Sequence, residues 1–194
     1  MIFNKLWFPA SVNAKTPFGW DPARNRIHPA QDYAPLSSKS IAHTIISGKV
    51  SWHIDGQGNS IIRQVSPSGF EVRYYHFRRE ELTSDIIAAM SVPSTMVEAG
   101  SPIGPAGNIG VGTGDHVHLV MVAREDLSVQ ITPIIGEGWA EDQTEAMALK
   151  YGDAFKLKAN DWKVKWMNAN VIYRFDPMTQ RNAYFLNSKK VLGA

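Results

Sequence analysis

Three β-prone segments joined by two short turns are the feature that most constrains the fold of this chain. The segment from Ile41 to Ile54 is rich in β-branched and aromatic residues and runs into Asp55-Gly56-Gln57-Gly58-Asn59, a strong turn signal. Ser60 to Val65 has the composition of a returning strand. After a second turn at Ser66-Pro67-Ser68-Gly69, a third strand is predicted from Phe70 to Phe77. This succession predicts a mainly β (α+β) fold.

The next part of the chain predicts a short helix, a long loop and a further strand. Arg79 to Met90 carries apolar residues at helical spacing, so we predict a helix there. Gly100 to Gly114 contains six glycines and two prolines, which predicts a loop. His116 to Ala123 follows as an apolar, strongly β-prone strand.

The character of the sequence changes after Pro133, and we place a domain boundary near Gly136. Residues 1–136 would form the main domain, and residues 137–194 a small α/β extension of unknown role. Its aromatic residues predict a small core packed against the main domain, with a wall-binding or assembly surface as the alternative. These aromatic residues are Trp139, Trp162, Trp166, Tyr173 and Tyr184.

Within the extension we predict one helix and two regions of short strands. The helix runs from Glu141 to Tyr151 and is closed by Gly152. The strands lie in Phe155 to Trp166 and in Val171 to Leu186.

The composition excludes several classes of function. The formal net charge is +2 without a dense Lys/Arg cluster, so we expect no nucleic-acid partner. No stretch approaches the roughly 20 apolar residues that span a bilayer. There is no cysteine, so a zinc site here has to use His and carboxylate ligands.

The clearest motif that can carry chemistry is Gly114-Asp115-His116-Val117-His118. Residues two apart on a strand point to the same face, so His116 and His118 share one side. Two adjacent imidazoles that follow a glycine-rich loop are poor core material and indicate a metal site. A solvated His pair on an exposed edge strand is the alternative.

A second motif is His28-Pro29-Ala30-Gln31-Asp32. Pro29 disfavours a helical conformation at His28, and in an extended chain residues four apart are roughly 13 Å apart. A shared metal ion therefore requires a bend between them. A loop with one His and one solvated Asp is the alternative.

His76, in Tyr74-Tyr75-His76-Phe77, is the third element. Alone it has the pattern of a packed, hydrogen-bonded residue. Together the elements offer two His and one carboxylate, which leave a fourth zinc position open for water, as in catalytic sites. His76 and one of the His116/His118 pair would remain for proton transfer.

The sequence resembles the lysostaphin-type (LytM-like) zinc metalloendopeptidases of bacterial cell walls, from about Thr16 to Val122. The blocks that carry the resemblance keep the family's order and spacing. They are Pro17-Phe18-Gly19-Trp20, His28-x-x-x-Asp32 with Tyr33-Ala34-Pro35, Ser47-Gly48-Lys49-Val50, Tyr75-His76-Phe77, Val97-Glu98-Ala99-Gly100-Ser101-Pro102-Ile103-Gly104, Gly107-Asn108-Ile109-Gly110 and Gly114-Asp115-His116-Val117-His118.

The resemblance implies an antiparallel β-sheet peptidase domain with an open groove. It also implies one zinc ion held by His28, Asp32 and His118, with His76 and His116 as the catalytic pair that activates water. The substrate would be a peptide cross-link or glycine bridge of peptidoglycan.

Two departures from the family pattern stand out. Ala30 replaces a usual Gly, which could restrict the bend after His28, and Val117 and Leu119 replace Leu and Phe around His118. The sequence leaves the oxyanion partner open, and Tyr75, Arg24 and Arg26 are its candidates.

The runner-up is a catalytically silent wall-binding or virion scaffold protein that keeps the peptidase fold. A phosphate-binding loop is set aside because a strand, not a helix, follows the glycines near Gly110. The chain has neither a Cys nor a Gly-x-Ser-x-Gly motif, so the sequence does not indicate a serine or cysteine hydrolase.

The segment from Met1 to Val12 has no continuous apolar core of the signal-peptide type. We therefore expect a chain that acts on the cell wall as a bacteriophage virion-associated or lysis protein, with a virion or assembly partner bound through residues 137–194. A bacterial enzyme whose leader has been removed is the alternative.

Overall fold

The computed structural model describes residues 16–35, 37, 40–111, 114–127 and 142–192. The boundary predicted near Gly136 lies outside these residues, so the division into residues 1–136 and 137–194 stays a prediction. Within the described residues, no helix is long and apolar enough to cross a bilayer.

The described residues form mainly antiparallel β structure with a few helices, which confirms the predicted fold class. The strands are β1 Gly19–Asp21, β2 Arg26–His28, β3 Gln31–Tyr33, β4 Ile41–His43, β5 Gly48–Ile54, β6 Ser60–Val65, β7 Glu71–Tyr75, β8 Met96–Val97, β9 Pro102–Pro105, β10 Val117–Arg124, β11 Lys165–Asn168, β12 Val171–Asp176 and β13 Arg181–Leu186. The helices are α1 Ser84–Ser91, α2 Thr144–Tyr151, α3 Asp153–Asp161 and α4 Ser188–Leu192, with 3₁₀ turns at Arg79–Glu81 and Glu125–Leu127.

The chain divides into two compact units. Among the described residues, the first comprises those of Asp32–Leu119 together with Leu192, and the second those of Thr16–Gln31 and Val120–Val191. Strand β10 begins in the first unit and continues into the second.

The first unit is built around the predicted succession of strands. In its sheet, β10, β7, β6, β5 and β8 are neighbours in that order, and β3 pairs with β10. Strands β5, β6 and β7 are antiparallel, and the two predicted turns connect them. Alternate residues of β6 and β7, such as Ile62 and Val72, are fully buried, so this sheet carries much of the unit's core.

The predicted strand from Ile41 to Ile54 is two strands. β4 pairs with β9 in a separate two-stranded sheet, and β5 pairs with β6 and β8. Between them the chain leaves the ladder, because the Thr44 hydroxyl donates to the Glu98 carbonyl and the Ile45 amide donates to the Tyr74 hydroxyl. The predicted loop from Gly100 to Gly114 accordingly contains β9, which its glycines and prolines concealed.

The predicted helix from Arg79 to Met90 is divided into a 3₁₀ turn and α1. Thr83 between them is extended, with ψ 151°, and its amide donates to the Ile103 carbonyl at 2.9 Å. A tertiary hydrogen bond therefore interrupts the helical pattern.

The second unit contains the β1–β2 hairpin and an antiparallel arrangement of β11, β12, β13 and β10. The predicted strand from Phe155 to Trp166 is wrong over most of its length, because α3 occupies it as far as Asp161. Phe155 and Ala159 lie one helical turn apart and are both buried. The Phe155 ring packs edge-on against Trp20 and Trp166, with centroid distances of 5.5 and 5.3 Å.

Candidate active site

Asp32 and His118 come together because their strands, β3 and β10, are paired. His118 Nδ1 lies 2.8 Å from Asp32 Oδ1, and the Asp32 side chain is buried. A carboxylate in a buried position requires hydrogen bonds or a cation, so this contact is a polar centre and not part of the apolar core.

His28 ends β2 and lies opposite Gly19 in the β1–β2 hairpin. Its Nδ1 is 3.0 Å from the Pro17 carbonyl oxygen, which can only accept, so Nδ1 carries the proton and Nε2 the lone pair. The Gln31 side chain braces the same segment, since its amide donates to the Thr16 carbonyl at 3.0 Å.

The bend that a shared metal ion requires is present between β2 and β3 at Ala30. Ala30 is fully buried and has a negative φ, so the bend needs no glycine. The methyl group that departs from the family pattern is therefore compatible with this turn.

His28, Asp32 and His118 can hold a metal ion. Each side chain offers one ligand atom, and these atoms all lie within 4.8 Å of one another. Two imidazole nitrogens and one carboxylate oxygen are ligands that zinc accepts, so the chemistry of this donor set fits the ion.

His76 directly follows β7 and has φ 77°, a left-handed conformation that is rare for residues other than glycine. Three hydrogen bonds hold it there. Its amide donates to the Ser60 carbonyl at 2.9 Å, its carbonyl accepts from the Ile109 amide at 3.1 Å, and its ring Nδ1 donates to the Ile109 carbonyl at 2.8 Å. The pKa of His76 is lowered, mainly by burial and further by nearby His116. Together these effects outweigh the hydrogen bond to Ile109, which raises the pKa.

His116 precedes β10 and forms an isolated β-bridge with Gly107. Its Nδ1 donates to the Gly114 carbonyl at 2.8 Å. The ring centroid of His76 lies 4.5 Å from that of His116 and 5.8 Å from that of His118. The structure thus brings three predicted site histidines together, and in both His76 and His116 the bond made by Nδ1 leaves the lone pair on Nε2.

The glycine-rich loop is packed tightly against this group. A Cβ atom on Gly107 would overlap the His76 carbonyl oxygen, so only glycine fits at this backbone approach. The Arg78 guanidinium ties the two ends of the loop by donating to Asn108 at 2.9 Å and to Asp115 at 3.0 Å.

The three candidate oxyanion partners differ in their surroundings. The Tyr75 ring packs edge-on against His118, with a centroid distance of 4.9 Å. Arg24 and Arg26 both pair with Asp21, at 2.9 and 3.5 Å. Of these three residues, Tyr75 is therefore the one whose described contacts include a site histidine.

Sequence reasoning missed the residues that support the histidines. The backbone carbonyls of Ser60 and Ile109 accept hydrogen bonds from His76. The side chain of Asn59, in a turn, accepts one from the glycine-rich loop. Asn59 was visible only as part of a turn, and a backbone carbonyl leaves no mark on the sequence.

Comparison with known proteins yields structural neighbours only. No protein-family profile matches the chain, and no curated protein matches it in sequence. A zinc-containing peptidase from Vibrio cholerae is 20% identical with a TM-score of 0.49, and the match covers 62% of this chain and 36% of that one. The catalytic domain of the antimicrobial peptidase lysostaphin from Staphylococcus simulans is 20% identical with a TM-score of 0.46, over 58% and 80% of the two chains. A catalytic-domain mutant of the prophage-encoded M23 protein EnpA from Enterococcus faecalis is 20% identical with a TM-score of 0.46, over 59% and 82%.

The match thus spans little more than a third of the Vibrio peptidase chain.

Proposed function

We propose that this protein is a zinc-dependent endopeptidase of the lysostaphin type, which hydrolyses peptide cross-links or bridges in bacterial peptidoglycan. The observation that carries the proposal is the convergence of His28, Asp32 and His118 within 4.8 Å, together with the packing of the His76 ring against the rings of His116 and His118.

The donor set supports a catalytic and not a structural zinc site. No fourth His, Asp or Glu joins the group among the described residues. Structural zinc sites are closed by four protein ligands, whereas catalytic sites use three and keep one position open. A bound zinc ion would lower the pKa of its water to about 7 and would polarise the scissile carbonyl.

The two remaining histidines are suited to move protons. His76 and His116 each donate through Nδ1 to a backbone carbonyl, so each presents the lone pair of Nε2. In our proposal one of these Nε2 atoms accepts the proton of the attacking water, and the protonated ring then gives it to the leaving amine. Tyr75, which packs on His118, is the proposed hydrogen-bond donor to the developing oxyanion.

The left-handed conformation of His76 supports a functional role for this residue. A residue held at φ 77° by three hydrogen bonds stores strain, and such strain concentrates at functional sites. A phage setting and a virion partner for residues 137–194 stay predictions.

The proposal is tested by digesting purified peptidoglycan from both Gram types with the zinc-loaded protein and identifying released peptides by mass. His118→Ala removes a proposed ligand, and His43→Ala is its control because His43, in β4, is not one of the three proposed ligands. We expect peptides from the wild type and from His43→Ala, and none from His118→Ala. Digests without peptides from a folded, zinc-loaded wild type would refute the proposed function.

A further inference from the structure

We propose that Asn59 is a positioning residue for His76, acting through the glycine-rich loop from Gly107 to Val111. Its consequence for catalysis rests on the function proposed above. Its consequence for the His76 ring does not.

The orientation of the Asn59 amide is set by Asp55. Asn59 Nδ2 donates to Asp55 Oδ2 at 2.8 Å, and the Asn59 backbone amide donates to Asp55 Oδ1 at 2.9 Å. An ionised carboxylate only accepts hydrogen bonds, so the NH₂ group has to face Asp55 and the amide oxygen has to face away. Asn59 is 5% exposed, and solvent therefore does little to compete for these bonds.

The Asn59 side-chain oxygen hydrogen-bonds the loop and packs against it. Oδ1 accepts a hydrogen bond from the Val111 amide at 2.9 Å. The adjacent Gly110 has φ 99°, and a Cβ atom there would overlap Asn59 Oδ1. The loop backbone therefore lies directly against this side chain.

The loop in turn fixes the His76 ring. Ile109 lies two residues before Val111. Its carbonyl accepts a hydrogen bond from His76 Nδ1, and its amide donates one to the His76 carbonyl. On the other side, Ser60 follows Asn59 directly and accepts the His76 amide. Asn59 is thus next to both segments that hydrogen-bond His76, Ser60 and the loop. Displacement of the loop would remove the Ile109 carbonyl, the acceptor that keeps the proton on His76 Nδ1.

The test uses an exchange of the two partners. Asn59→Asp keeps an acceptor for Val111 but loses the donor to Asp55 and places two carboxylates together. In the double variant Asp55→Asn/Asn59→Asp, the amide and the carboxylate exchange places, so one donor again faces one acceptor and an oxygen still faces Val111. We expect kcat for peptide release to fall about 10- to 100-fold in Asn59→Asp, because misplacement of a catalytic group by about 1 Å slows a reaction by factors of this size. In the double variant kcat should recover. Zinc affinity should be the same in all three proteins.

A second readout does not depend on activity. In the wild type and the double variant, the His76 Nδ1 proton should give a protected resonance in ¹H–¹⁵N spectra of the zinc-loaded protein, and in Asn59→Asp it should exchange rapidly. Val111→Pro, at an exposed position with negative φ, removes the donor to Asn59 and places the ring Cδ against Asn59 Oδ1, so it should displace the loop and have the same effect if Asn59→Asp does not fold.

An unchanged Nδ1 resonance in the folded single variants would overturn the proposal, as would a folded double variant that recovers neither the resonance nor kcat. If the wild type releases no peptide, the proposed function fails, and the resonances alone still decide the role of Asn59.

Discussion

Gly107→Ala should damage the candidate active site more than its size suggests. The new Cβ atom would lie less than 3.0 Å from the His76 carbonyl oxygen, whereas ordinary contacts begin at 3.4 Å. Because this oxygen belongs to the main chain, the backbone has to move by about 1 Å to restore an ordinary contact. Overpacking of this kind costs about 1–3 kcal/mol of unfolding free energy. Because Gly107 also bridges to His116, the shift reaches both proposed proton-transfer residues, and we expect peptide release to slow by about 10- to 100-fold.

Gly56→Ala is the matched control, because a Cβ atom on Gly56 meets nothing within 4 Å. Urea unfolding followed by tryptophan fluorescence should place this control within about 0.5 kcal/mol of the wild type. Peptide release by the two variants is compared under the same conditions. Equal stability and equal release for Gly107→Ala and Gly56→Ala would refute the close packing of the loop on His76.

Three further predictions concern the core, the acid range and the metal. Phe155→Ala should lower the unfolding free energy by about 3–5 kcal/mol, whereas Leu157→Ala, 64% exposed on the same helix, should change it by less than about 0.5 kcal/mol; equal effects in urea unfolding would contradict the assignment of α3. Burial raises the pKa of Asp21, but the hydrogen bonds and charges of Arg24 and Arg26 outweigh this and hold the pKa below its usual range. This carboxylate therefore stabilises the fold above its unfolded pKa and loses its effect as the pH falls through the folded pKa, so the stability difference between wild type and Asp21→Asn should vanish in strong acid, and a pH-independent difference would count against it. Free zinc at 100 times its Kd should raise the unfolding free energy of the wild type by about 2.7 kcal/mol and leave His118→Ala unchanged, and equal shifts in thermal unfolding would exclude His118 as a ligand.

The strands with strong local signals could be predicted from the sequence. β6 has the predicted bounds, from Ser60 to Val65, because β-branched residues lie between two unambiguous turns. Phe155 to Trp166 was predicted wrongly because its apolar residues suit either a strand or a helix. The burial of Phe155 against Trp20, more than a hundred residues earlier, stabilises the helix, and such a partner is invisible to local pattern.

The residues that could hold a metal ion could be proposed from the sequence, whereas the residues that support them could not. His28, Asp32 and the His116/His118 pair stand out by residue type and spacing, and the resemblance to a known family implies that His118 is the ligand of the pair. The contacts of Asn59 and Ile109 with the site depend on the path of the chain in three dimensions. Their roles follow from backbone carbonyls and amides, which every residue possesses.

The most direct test of the central claim is the rate of peptide release from peptidoglycan as zinc is added back to metal-free protein. If His28, Asp32 and His118 hold one catalytic ion, release should rise until one zinc per chain is present and then level off. His43→Ala should follow the wild type, and His118→Ala should release nothing at the same zinc concentrations. Release that persists without zinc, or an equally active His118→Ala, would contradict the account.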